Sequence, residues 1–153
     1  MIAFSPGSDA GLSTEAWLLH NLRYQNVASS PSVDARERLE TLRDIESAAQ
    51  SSANDDWDGD GAAAVEQSTV RYAAKFVCAL PKGIAVPGVL VDRDGDITLE
   101  WGSTARRTFS VSVARDGTLS CAGVFDQART YGRKGFTGAV PAVILVNIER
   151  ASR

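Results

Sequence analysis

Apolar residues recur along this chain with two different periods, and the change of period divides it. Behind a cap at Ser13-Thr14-Glu15, the positions Ala16, Leu18, Leu19, Leu22 and Val27 follow helical spacing. Ala28-Ser29-Ser30-Pro31 ends that helix, because proline disfavours helical backbone in the residue before it. Residues 1–12, rich in Gly, Ser and Asp, read as a flexible lead into it. A second helix is expected from a cap at Ser32 or Asp34 to about Gln50. Val33, Leu39, Leu42 and Ile45 form its inner face. Arg36, Glu37, Arg38, Glu40, Arg43, Asp44 and Glu46 form a solvated outer face of mixed charge. A third helix is expected from about Ala62 to Leu80. Its stripe is Val65, Tyr72, Ala73, Phe76, Val77 and Leu80, and Pro81 and Gly83 stop it.

After Pro87 the period becomes two. Val89-Leu90-Val91 and Ile97-Thr98-Leu99-Glu100-Trp101 flank the turn Asp94-Gly95. Phe109 to Val113 and Leu119 to Ala122 flank Asp116-Gly117. Asp-Gly between alternating strands is a strong hairpin signal, so an antiparallel meander of about four strands is expected. Ile97, Leu99, Trp101, Phe109, Val111, Val113 and Leu119 point to one side. Thr98, Glu100, Thr108, Ser110, Ser112, Thr118 and Ser120 point to the other. Helices therefore cover one face and leave a hydroxyl-rich face. Gly132-Arg133-Lys134-Gly135-Phe136-Thr137-Gly138 reads as a glycine-spaced loop. Residues 142–148 read as a closing helix led by Pro141 or, given their valines and isoleucines, as a strand. The fold class is α+β: N-terminal helices, then an antiparallel meander packed on one face by helices. The chain is taken as a single domain over 1–153, with N-terminal helices in 13–50 and a core α+β unit in 54–153.

Composition narrows the function without naming it. The 153 residues are 44% hydrophobic and 23% charged, which is ordinary for a globular domain. A net charge of −3 argues against nucleic acid as a partner, although Arg129, Arg133 and Lys134 offer a local basic patch. Cys78 and Cys121 stand apart from each other and from the single histidine, His20. They read as reduced thiols, neither a zinc site nor a disulfide framework. No window holds the roughly 18 apolar residues of a spanning helix, and the N-terminus lacks a signal-peptide pattern. No membrane partner and a cytoplasmic location are expected.

The densest chemistry lies in Asp55-Asp56-Trp57-Asp58-Gly59-Asp60-Gly61-Ala62. Asp56, Asp58 and Asp60 followed by Gly61 match the first half of a calcium loop, in which alternate carboxylates converge on one ion. The second half departs from that pattern. Gln67 stands where a closing glutamate belongs, and Glu66 falls one residue early. Any calcium site here is weak, and no other cofactor is expected. A structural account competes with it: Asp58 or Asp60 caps the third helix, Gly59 and Gly61 take left-handed backbone angles, and Trp57 pins the loop. A metal-assisted hydrolase built on the same carboxylates needs a second carboxylate cluster brought alongside by folding.

The box Trp57-Asp58-Gly59-x-Gly61-Ala62, the helix ending at Leu80-Pro81 and the hairpin closing on Leu99-Glu100-Trp101 together resemble a group of small, uncharacterised bacterial proteins. That group carries a W-D-G-x-x-A box and an L-E-W strand. The resemblance covers roughly residues 54–148. It implies cargo of prophages, plasmids and genomic islands, and hence protein partners, with no catalytic residue to carry over. The resulting expectation is a non-enzymatic, protein-binding accessory protein of a bacterial mobile element or phage, tied to defence, counter-defence or a toxin. Its candidate contact residues are Trp57, Arg133, Lys134 and Phe136.

Overall fold

The computed structural model describes residues 32–153. The helix expected near residues 13–27, the N-terminal lead and His20 lie outside the described residues. Helix α1 spans Val33–Ser51, α2 spans Gln67–Ala79, and α3 spans Ala142–Ala151. Between the last two run β1 (Gly88–Val91), β2 (Ile97–Thr104), β3 (Arg107–Val113), β4 (Thr118–Phe125) and β5 (Ala128–Gly135). The sheet is an antiparallel meander in the order β1-β2-β3-β4-β5. It has one strand more than the alternation of apolar residues suggested. The closing segment is a helix, in which Ile144, Ile148 and Ala151 recur at helical spacing against the sheet and are buried.

The apolar face forms as its period dictates. Ile97, Leu99, Trp101, Phe109, Val111, Val113 and Leu119 are all buried. Phe76 of α2 meets the Trp101 ring at 6.4 Å, and Arg150 of α3 lies 4.1 Å from the centre of the Phe125 ring. Helix α1 packs on α2 and borders β1. The side chain of Ser32 caps α1 by accepting from the N–H of Ala35 at 3.2 Å.

Four expectations need correction. Arg38 is not on a solvated face but buried, and its guanidinium donates to the carbonyls of Val77, Cys78 and Leu80 at 3.0, 3.2 and 2.7 Å. It thereby serves the C-terminal end of α2, where carbonyls lack helical partners and a cation is favoured. Asp34, one turn earlier, pairs with it at 3.2 Å. Val33, by contrast, is 71% exposed. Helix α2 begins at Gln67, not near Ala62. Residues 62–66 are held outside the helix by bonds from Ala63 N–H to the Arg93 carbonyl (2.8 Å) and from Val65 N–H to the Ser52 carbonyl (2.9 Å). Residues 132–135 are not loop but the end of β5, paired with β4 from Phe125↔Ala128 to Thr118↔Gly135.

Both Asp-Gly turns form as expected, each with glycine in the left-handed region, at φ +83 for Gly95 and +82 for Gly117. A Cβ on Gly95 would lie 2.6 Å from the carbonyl oxygen of Ala64, so this turn is also where the acidic box presses against the sheet.

Candidate interaction surfaces

The acidic box is a closed loop of backbone. Asp56 N–H donates to the Ala62 carbonyl at 2.7 Å, and Gly59 N–H to the Asp56 carbonyl at 3.0 Å. Asp56 itself holds φ +62, which a short polar side chain tolerates. Three of the four carboxylates then bind main chain. Asp58 Oδ1 accepts from the N–H groups of Asp60 (2.9 Å) and Ala62 (3.0 Å). Asp56 Oδ1 accepts from Gly61 at 2.7 Å, and Asp55 Oδ1 from Ala64 at 3.0 Å. The half-buried Trp57 donates its indole N–H to the Ala63 carbonyl at 3.0 Å. Asp58 and Asp60 therefore do not cap α2, whose first turn lacks a side-chain cap. They fold the loop on itself.

The cation at this loop is Arg93, from the β1–β2 turn. Its Nε lies 3.2 Å from Asp58 Oδ2, and its Nη2 lies 2.8 Å from Asp60 Oδ2 and also donates to the Asp60 carbonyl. The two backbone donors, Asp60 then Ala62, hold the Asp58 carboxyl below the usual carboxylate range, with Arg93 adding to them. Among the described residues, no group of three carboxylate, imidazole or thiol side chains is placed to share a metal ion. Sequence reasoning missed Arg93, because its place inside a hairpin turn carries no sign that it reaches back to residue 60.

Folding does bring other carboxylates to the same end. An open cleft of 490 Å³ is lined by Asp55, Glu66, Asp94, Asp96, Asp116, Arg115 and Arg133, among others. Arg115 bridges to Glu66 at 2.9 Å. Burial first, then the negative charges of Asp92, Asp94 and Asp116, push the Asp96 carboxyl up. Asp116 is held low chiefly by the N–H of Thr118. On the hydroxyl-rich face, Asp92 Oδ2 accepts from Thr98 Oγ1 at 2.5 Å and from Ser112 Oγ at 3.2 Å, so these hydroxyls are tied to a carboxylate and Thr98 is buried. Cys78 and Cys121 are free and half-buried, with burial raising both thiols.

No family model matches the chain, and none of the curated proteins or solved structures compared with it matches either.

The four candidate contact residues do not form one patch. Phe136 turns inward, its ring 5.8 Å from that of Phe76. Lys134 is opposite Leu119 in register, on the helix-covered side of the sheet, whereas Arg133 is opposite Ser120 on the hydroxyl-rich side. Arg133 has other company there. Arg129 and Tyr131 share its side of β5, all three are exposed, and Tyr131 is 72% exposed. Among the described residues, Arg129 and Tyr131 make no hydrogen bond or ion pair. Trp57 sits in the acidic box.

Proposed function

We propose that this chain is a non-enzymatic protein-binding module acting through the β5 side of its sheet. The observation that carries the reading is the exposed row Arg129, Tyr131, Arg133. An aromatic ring left in water between two arginines is the composition that protein interfaces favour, and it contributes nothing to the core. The resemblance of the Trp57 box and the Leu99-Glu100-Trp101 strand to bacterial accessory-genome proteins supports a partner drawn from defence, counter-defence or toxin systems of a mobile element or phage. A cytoplasmic setting goes with that reading. No helix among the described residues is long and apolar enough to cross a membrane. The test is recovery of the full chain, affinity-tagged and lightly crosslinked, from its native host. One stoichiometric protein partner supports the reading, and a clean monomer with no partner overturns it.

A further inference from the structure

We propose that the outer edge of β5 receives an extended acidic segment of the partner as a sixth strand, which rests on the protein-binding reading above. Three features of the strand lead there.

The first is the parity of its hydrogen bonds. The Asp126-Gln127 turn leaves Phe125 and Ala128 as the closing pair of the β4–β5 hairpin, and Phe136 N–H still donates to the Gly117 carbonyl at the far end (2.9 Å). Antiparallel pairing alternates, so Ala128, Thr130, Gly132 and Lys134 turn their N–H and C=O groups to β4. Arg129, Tyr131 and Arg133 turn theirs outward, along an edge whose residues are exposed except at Thr130, which is half-buried. A strand edge with a regular row of outward donors and acceptors is a template for another extended chain.

The second is what flanks that edge. On the hydroxyl-rich side, the two arginines lie four residues apart with Tyr131 between them, a span of roughly 13 Å at strand rise. On the helix side, Gly132 leaves open space within 4 Å of where a Cβ would stand, beside Val143 of α3, which is 51% exposed. A bound strand that places carboxylates toward Arg129 and Arg133, and apolar side chains toward Gly132 and Val143, meets complementary chemistry on both faces.

The third is what the edge disfavours. Pairing with a second copy about Tyr131 sets Arg129 opposite Arg133 in both halves, cation against cation. A single-stranded nucleic acid brings no ladder of backbone donors and finds one aromatic platform.

The experiment uses the full chain and a fluorescent peptide of about nine residues alternating glutamate with valine, matched to the length of β5. A lysine–valine peptide and an oligo-deoxythymidylate serve as comparison probes. The expected result is saturable anisotropy for the acidic peptide, with slowed amide hydrogen exchange at Arg129, Tyr131 and Arg133. Tyr131→Pro removes an outward N–H without touching the inner pairs. This variant, and separately Arg129→Glu with Arg133→Glu, should each weaken binding at least about tenfold while circular dichroism stays unchanged. If Tyr131→Pro disturbs the fold, the charge reversal and the exchange pattern decide. Preference for the oligonucleotide, peptide-independent dimerisation, binding without amide protection, or no peptide binding each overturn the proposal. A host partner captured undiminished by Tyr131→Pro also overturns strand addition, while leaving the protein-binding reading intact. Capture of no partner by either chain overturns that reading itself.

Discussion

The acidic box at one end of the sheet and the β5 strand at its edge are both built from charge, glycine and one large aromatic, yet they dispose of them in opposite ways. In the box, Asp55, Asp56 and Asp58 bind main-chain N–H groups, Asp58 and Asp60 hold Arg93, and the Trp57 indole is bonded to Ala63. On β5, Arg129 and Tyr131 make no bond to any described residue, and Gly132 stands in open space. Conspicuous composition in the box reports a demanding backbone. The plainer residues of β5 are the ones left available to another molecule.

The sharpest way to break this contrast is through the glycines. Gly95→Ala forces a Cβ at φ +83 to within 2.6 Å of the Ala64 carbonyl, beneath the box. It should cost about 3 kcal/mol in urea unfolding, whereas Gly132→Ala should change stability by less than about 0.5 kcal/mol. Equal effects would mean that the box does not press on the hairpin. The aromatics give the next largest difference. Trp57→Ala, losing half-buried surface and one hydrogen bond, should cost about 2 kcal/mol, and Tyr131→Ala should stay within about 0.5 kcal/mol. A large loss at Tyr131 would place that ring in the fold rather than on a contact surface.

Acid adds a comparison between the box and the neighbouring cleft. The folded-state pKa of Asp58 is lowered, so its contribution is present above the ordinary aspartate value near 4 and is lost as pH falls through the folded value. Asp58→Asn should therefore lower stability at pH 7 and flatten the decline under acid. The folded-state pKa of Asp96 is raised, so its contribution is present at low pH and is lost as pH rises through the folded value. Asp96→Asn should raise the urea midpoint at pH 7 and leave it unchanged near pH 3. Like responses from the two variants would refute the assignment.

The smallest expected effect concerns calcium. With Arg93 on Asp58 and Asp60, calcium should raise the melting temperature no more than magnesium does. An excess gain in calcium, abolished by Asp58→Asn, would instead favour the calcium-dependent reading of the loop.

Much of this fold was legible because burial writes a period into sequence. The Ser32 cap, the inward row from Ile97 to Leu119 and the two Asp-Gly turns all follow from residues whose local preference and tertiary role agree. Strand β5 was not legible, because an exposed edge buries little and so leaves no alternation of apolar residues. Its Gly132-Arg133-Lys134-Gly135 reads as loop until a partner strand is seen. The start of α2 was misplaced for the opposite reason. Ala62-Ala63-Ala64 favours helix locally, but long-range bonds to Ser52 and Arg93 hold it extended. Arg38 and Arg93 were misread or missed because a long cationic side chain looks solvent-bound until the carbonyls or carboxylates that receive it are brought near.

The bonding of the box and turns also bears on how this protein ages. Asp58-Gly59, Asp60-Gly61, Asp94-Gly95 and Asp116-Gly117 are the kind of peptide links at which an aspartyl carbonyl is attacked by the next backbone nitrogen, giving succinimide and then isoaspartate. In the fold, each of those glycine N–H groups is already engaged: Gly59 by Asp56, Gly61 by the Asp56 carboxylate, Gly95 by Asp92 and Gly117 by Ala114. A nitrogen whose N–H is held in this way is less free to close on the carboxyl beside it. Isoaspartate should accumulate at these four sites only in molecules that have been open, which makes it a chemical clock of time spent unfolded.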